Sequence, residues 1–416
     1  MGPKRLVLLF LAVALVGAGW YWTLRPVAAR PIVVGVLHSL TGSMAASEAP
    51  VVDGVLLAIE ELNEAGGLLG RPVHAIVVDG GSDAETFARE AERLIARERV
   101  VTVFGCWTSA SRKTVKPVFE RHQHLLVYPV QYEGLEDSPN IVYTGAAPNQ
   151  QLIPAIKWSF DRLGQRFFLV GSDYVFPRTA NAIVRDQVTA LGGAVVGEAY
   201  LPLGSQDVGA VVAAIRAAGP QVILNTINGD TNVAFFRALR AAGITPAGVP
   251  TMSFSFAEPE LRRLPAREMA GDYATLNYFQ SVDRAQNRRF VERYRRRYGA
   301  DRVTSDPIEA GYFGVHLWAQ AVEDAGVDEV GAIRKAIKRQ SYDAPGGVVY
   351  VEPENQHTWK TVRIGKIRED GQFDVVWTSE KPIRPVPYPI YRSREEWTAF
   401  LDGLYRGWGG AWGGRG

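Results

Sequence analysis

Residues 32–39 read IVVGVLHS and residues 73–80 read VHAIVVDG, two apolar, β-branched runs separated by a helical stripe. The stripe is Val51, Val52, Val55, Leu56, Ile59 and Leu62, and it stops at Ala65-Gly66-Gly67. Apolar side chains three and four apart share one helix face, and paired glycines end a helix. Strand, amphipathic helix, strand is the signature of a parallel βαβ unit, because two parallel strands need a long crossover that a helix supplies. The same grammar continues outward. Val100 to Trp107 and Leu125 to Pro129 read as buried strands, with Phe87, Ala91, Leu94 and Ile95 as a second helical stripe.

A second series begins near Pro148. Phe167 to Gly171, Ala194 to Leu201, Val222 to Thr226 and Pro250 to Phe254 read as strands. Ala182, Ile183 and Val188, then Val208, Val211, Val212 and Ile215, then Val233, Phe236 and Leu239 mark the helices between them. After Tyr278 the texture changes to long helical stretches, Asn287 to Tyr298 and Glu309 to Ala325, and then to strand-like Gly347 to Val351 and Val362 to Ile367. The expected fold class is α/β: two doubly wound, Rossmann-like lobes joined by a multi-strand hinge, with a cleft between them. The expected division is residues 31–147 with about 278–345 in the first lobe, and 148–277 with about 346–395 in the second. Residues 396–416 form a C-terminal tail, whose glycine-rich end, Arg406 to Gly416, is expected to be disordered, with no function assigned.

The 416 residues carry 46 basic and 44 acidic side chains, a formal charge of +2, which gives no reason to expect a nucleic-acid partner. Residues 1–30 form an export segment. Lys4 and Arg5 precede Leu6 to Trp22, an apolar run free of charge, which places the body outside the cytoplasm. Cleavage near Val27-Ala28-Ala29 and retention as a membrane anchor both fit that run.

The segment richest in chemistry is Phe104-Gly-Cys-Trp-Thr-Ser-Ala-Ser-Arg112, a strand that runs into three hydroxyls and a helix. Thr108, Ser109 or Ser111 can cap that helix while its free N–H groups face the cleft, a site for a carboxylate or carbonyl oxygen. Trp107 can wall a planar ligand. Polar strand ends recur at Tyr128–Tyr132, Ser172–Arg178 and Asn225–Asp230, in both lobes. Cys106, the single cysteine, reads as a small buried thiol and not a nucleophile. His122-Gln-His124 lacks metal-ligand spacing, and Ala65–Gly70 ends a helix where a phosphate loop opens one, so no metal, cofactor or catalytic residue is expected.

The opening GVLHSLTG (35–42), AIEELNEAGG (58–67) and LGR (69–71) resemble the type I periplasmic binding proteins of the branched-chain amino acid and amide receptor group. FGCWTSASRK, YPVQYEGLE, YTGAAPNQQ, GSDYVFPRTAN, NGDTNVAFF, RVTSDPIEA and PENQHTWK are similar, in order and spacing, to the urea-binding receptors of ABC transporters, over about residues 32–387. The resemblance implies capture of urea or a short-chain amide in the periplasm and delivery to an inner-membrane ABC permease, without catalysis. The alternative is a receptor or sensor for a branched-chain amino acid or another small amide. It also implies a ligand held by Trp107, Thr108 and Ser109, and by Val130, Gln131 and Tyr132, in the first lobe. Tyr174, Phe176, Asn228, Asp230, Ser253, Ser255 and Glu258 would close over it from the second. Such receptors are commonly released or lipid-tethered, whereas this N-terminus has no lipid-acceptor cysteine.

Overall fold

The computed structural model describes residues 30–414. The Leu6–Trp22 run and Val27-Ala28-Ala29 lie outside the described residues. Among those described, no helix is long and apolar enough to cross a membrane.

The first lobe alternates β1 (Ile32–His38), α1 (Ala45–Glu64), β2 (Val73–Asp79), α2 (Ala84–Ala96), β3 (Val103–Gly105), α3 (Ser109–Arg121), β4 (Leu126–Tyr128) and β5 (Ile141–Tyr143). Its five strands are parallel in the order β2-β1-β3-β4-β5. The chain therefore turns from one side of the sheet to the other between β1 and β3, and a crevice opens beyond their carboxyl ends. Those ends are His38 and Gly105, so Ser39 and the Cys106–Thr108 turn face that crevice.

The second lobe repeats the plan with α4 (Leu152–Arg162), β6 (Arg166–Ser172), α5 (Val175–Ala190), β7 (Ala194–Leu201), α6 (Gly209–Ala218), β8 (Val222–Thr226), α7 (Thr231–Ala241) and β9 (Thr251–Ser253). The short α8 (Glu258–Leu261) and α9 (Ala266–Met269) then lead to β10 (Tyr273–Leu276). The parallel order β7-β6-β8-β9-β10 puts the second switch point between β6 and β8, beyond Ser172 and Thr226. Side chains alternate across this sheet. Phe168 and Val170 enter one core with Val211, Ile215 and Phe236, while Phe167 and Leu169 enter the other with Ile183 and Val184.

The late segments divide between the lobes. After α10 (Ala285–Tyr298), α11 (Asp306–Ala325) buries Phe313, Leu317 and Trp318 in the first core. Beyond α12 (Val330–Ala336), β11 (Ser341–Ala344), β12 (Gly347–Val351) and β13 (Thr358–Trp359) form a small antiparallel sheet. Val349 and Val351 of that sheet also belong to the first core. Residues 346–395 are thus not all second-lobe, as expected from sequence; only β14 (Arg363–Ile367) and β15 (Phe373–Thr378) extend the second sheet, antiparallel to β10.

The disorder expected of residues 406–416 is also corrected for those described, 406–414, which are ordered against the second lobe. Residues 394–407 form α13, opened by a capping box between Ser393 and Glu396. Trp397 is fully buried in the second lobe, its Nε1 donating to the Pro389 carbonyl at 3.0 Å. Beyond the helix Trp408 and Trp412 pack against the same core, apolar anchors that the glycine count hid.

The chain crosses between lobes within residues 144–151, 277–284 and 360–362. Asn277 staples the three: its buried Nδ2 donates to the carbonyls of Gln150 at 3.1 Å and Thr361 at 3.2 Å. Asn277→Ala leaves both carbonyls unsatisfied and is expected to cost about 1–3 kcal/mol, read as a lower thermal midpoint by circular dichroism; an unchanged midpoint removes the staple role.

Candidate ligand-binding site

The turn after β3 is built under steric compulsion. A Cβ on Gly105 would stand 2.1 Å from the Leu37 carbonyl oxygen, so only glycine lets β3 approach β1 here. Cys106 follows at φ 65°, the left-handed region that a side chain rarely adopts. It is held there by its N–H on the Leu37 carbonyl at 2.9 Å. This turn aims Trp107 outward and makes Thr108 the N-cap of α3, its hydroxyl accepting from the Ser111 N–H at 3.0 Å. The N–H groups of Ser109 and Ala110 have no acceptor among the described residues. Cys106 is fully buried, and burial, with Glu48 nearby, pushes its thiol far up, which makes it inert.

Behind this helix end lies a buried charge network. The Arg112 guanidinium is inaccessible to solvent and bonds Glu133 Oε1 and Glu136 Oε1, each at 3.0 Å, and Ser109 Oγ at 3.0 Å. Ser109 Oγ also donates to Glu133. Lys113 Nζ reaches Glu136 Oε2 at 3.0 Å. Burial alone would raise the Glu136 carboxyl, but Lys113, Arg112 and Lys116 overcome it and hold the group well below its ordinary value. The guanidinium lies 4.3 Å from the Tyr132 ring centroid and 4.9 Å from that of Tyr128. Tyr128 in turn donates to the Trp107 carbonyl at 2.6 Å.

The two lobes touch across the crevices. Trp107 Nε1 donates to Asn228 Oδ1 at 3.3 Å, and Gln131 Nε2 donates to the Phe254 carbonyl and Ser255 Oγ, both at 3.0 Å. Farther out, Ser47 Oγ donates to Glu260 at 2.7 Å and the Asp230 N–H to the Ser43 carbonyl at 3.2 Å. Between the lobes remains a cavity of about 700 Å³ whose wall includes Ser39, Glu48, Thr108, Ser111, Lys113 and Tyr174. The Tyr174 hydroxyl makes no hydrogen bond with the described residues. Across the cavity mouth runs the tail: the Val175 N–H donates to the Trp412 carbonyl at 2.9 Å, and Gly413 bridges Tyr174.

Of the residues read from sequence, Thr108 and Tyr174 line this cavity. Trp107, Gln131, Asn228 and Ser255 hold lobe to lobe instead. Ser109 belongs to the Arg112 network. Val130, Tyr132 and Phe176 are core, with the Tyr132 hydroxyl bonded to His357. Ser253 accepts from Asn225 at 3.2 Å, and Asp230 pairs with Arg263 at 2.6 Å on the rim. Glu258 accepts from the Gln280 N–H at 2.7 Å, and burial pushes its carboxyl up to about 8. None of these eleven lines the cavity. Glu48, Ser39 and the tail residues Trp412–Gly414 line it without having been expected there.

Two switch-point crevices facing each other over a latched cleft define a two-lobed binding fold, and a profile of the periplasmic binding protein domain matches residues 32–394. The chain belongs to the periplasmic binding protein family. The family acts outside the cytoplasm as solute receptors of ABC transporters, not as enzymes. Among curated proteins, the Leu/Ile/Val-binding protein homolog 6 of Brucella melitensis is 25% identical over 68% of this chain and 74% of its own. A limonene hydroxylase of Geobacillus stearothermophilus is 36% identical over 118 residues, but this match spans only 22% of that protein and 28% of this chain. A solved Rhodopseudomonas palustris ABC-transporter solute-binding protein, in complex with 4-hydroxybenzoate, superposes with TM-score 0.76 at 23% identity. That match covers 85% of this periplasmic binding protein and 98% of the other.

Two outcomes test this geometry. Tyr174→Phe removes a hydroxyl with no protein partner, so ligand affinity in calorimetry is expected to fall about tenfold with the thermal midpoint unchanged. Ser109→Ala is expected to lower the midpoint, because Arg112 and Glu133 lose a buried partner; the opposite pattern reverses the two assignments. Separately, an acid protonated in the folded protein while the unfolded chain ionises destabilises folding increasingly from its ordinary 4.5 up to about 8. Glu258→Gln is therefore expected to gain thermal stability over the parent as pH rises from 5 to 8.5, and a gain independent of pH contradicts the burial effect.

Proposed function

We propose that this periplasmic binding protein captures urea or a short-chain amide in its interlobe cleft and delivers it to an ABC permease. The observation that carries the reading is the balance of the cavity wall. Hydroxyls of Thr108, Ser111 and Tyr174 stand with the free N–H groups of α3 and the Glu48 carboxylate, while Arg112 and Lys113 are paired with Glu133 and Glu136. Urea offers one strong acceptor and four N–H donors, so such a wall can satisfy both sides without a net cation. The motif words from FGCWTSASRK to PENQHTWK support the same ligand class. Lobe closure would bury it, with the three crossings around Asn277 as hinge. The Leu6–Trp22 run would export the chain, leaving it released or anchored.

A branched-chain amino acid is the second reading. It is favoured by the Leu/Ile/Val-binding relative and by a cavity larger than urea needs. Calorimetric titration of protein stripped by unfolding in guanidinium chloride and refolding separates the two. Micromolar or tighter binding of urea, acetamide or formamide with leucine silent is expected; leucine binding with urea silent replaces the first reading by the second.

A further inference from the structure

Of the carboxylates that line the cavity, Glu48 alone is buried, and no lysine or arginine among the described residues neutralises it; Asp83 and Glu85 are exposed to solvent and Asp173 is paired. Glu48, in the first turn of α1, is 1% exposed and lines the cavity. One of its oxygens, Oε2, accepts from the Ser39 N–H at 2.9 Å and contacts His38 Nδ1 at 3.1 Å. The other, Oε1, has no hydrogen bond among the described residues, and no lysine or arginine of the described residues pairs with the group. The nearby cations are engaged elsewhere: Arg112 with Glu133 and Glu136, Lys113 with Glu136, and Arg178 with Asp173 at 2.9 Å. The surplus charge facing the cavity is therefore negative, on an oxygen that water or a ligand must satisfy. A buried carboxylate left without a donor is costly, and a charge-assisted hydrogen bond to it is among the strongest a ligand can make.

We propose that Glu48 sets the charge class of the ligand: Oε1 accepts from a ligand N–H group, and the same carboxylate shuts out anionic solutes. The proposal rests on the reading of this cleft as the ligand site. The Ser39 N–H and His38 fix Oε2, so the carboxylate cannot turn away from the cavity to avoid an anion. In Glu48→Gln the amide oxygen stays with the Ser39 N–H, and the NH₂ turns to the cavity. A donor then faces a donor, and an anion becomes acceptable.

The test is calorimetric titration of the purified protein and of Glu48→Gln with acetamide, its near-isosteric anion acetate, urea, leucine and 4-hydroxybenzoate. Acetamide or urea is expected to bind the parent and to lose at least tenfold in Glu48→Gln, while the acetamide-to-acetate affinity ratio falls by at least tenfold. If leucine binds and the amides do not, a tenfold loss of leucine in Glu48→Gln keeps Glu48 as the ammonium acceptor while the amide reading falls. Equal binding of acetamide and acetate by the parent, an unchanged ratio, preference for 4-hydroxybenzoate, or silence toward the whole panel overturns the proposal. Should Glu48→Gln not fold, a crystal structure of the parent with its tightest ligand decides. A ligand nitrogen within about 3.2 Å of Oε1 supports the role, and a carbon or a water there overturns it.

Discussion

The arrangement of the cleft depends on one buried guanidinium. Arg112 ties the first turn of α3, through Ser109, to Glu133 and Glu136 of the loop after β4. Removing such a charge from water costs several kcal/mol, which the two carboxylates and the faces of Tyr128 and Tyr132 offset. Because Tyr128 also holds the Trp107 carbonyl, the cap of α3 and the 130–136 loop are set relative to each other before any ligand arrives. A site positioned this way loses little conformational freedom on binding.

Around that fixed point the fold supplies symmetry of purpose. Each lobe carries the same 2-1-3-4-5 strand order, so each offers one crevice at the carboxyl ends of its first and third strands. In the first lobe those ends deliver Ser39 and the Cys106–Thr108 turn; in the second they deliver Ser172 to Tyr174 and Thr226 to Asn228. Facing crevices explain why Trp107 can reach Asn228, residues 121 apart in sequence. The Asn277 staple gathers the crossings on one side, which leaves the opposite side of the cleft to the tail.

Much of this was legible in the sequence because periodicity reports burial. Strands β1 to β4 and β6 to β9 followed the apolar runs, while the short β5 and β10 went unread, and the capped turn at Thr108 followed from hydroxyls set between a strand and a helix. The role of each polar side chain was less legible. Gln131, Asn228 and Ser255 have the chemistry of ligand contacts, but residue type does not reveal that a partner stands across the cleft. Glu48 did leave a signal. With Val51, Val52 and Val55 it occupies the apolar stripe of α1, where an acid is out of place unless it has a buried use. The tail misled in the opposite way, since its glycines masked Trp408 and Trp412, which pack against the second lobe.

The same fold that holds 4-hydroxybenzoate in the Rhodopseudomonas protein does not transmit a preference for anions, because backbone topology sets where a ligand sits and side-chain charge sets what it is. In this chain the two cations beside the cap are already matched by two carboxylates, one glutamate in the β1–α1 region stands over, and the helix end offers only the partial charge of its N–H groups. A carboxylate ligand drawn to those N–H groups would have to share the cavity with Glu48. A neutral amide could place its oxygen on the helix end and its nitrogens toward the glutamate, using both poles of the cleft at once.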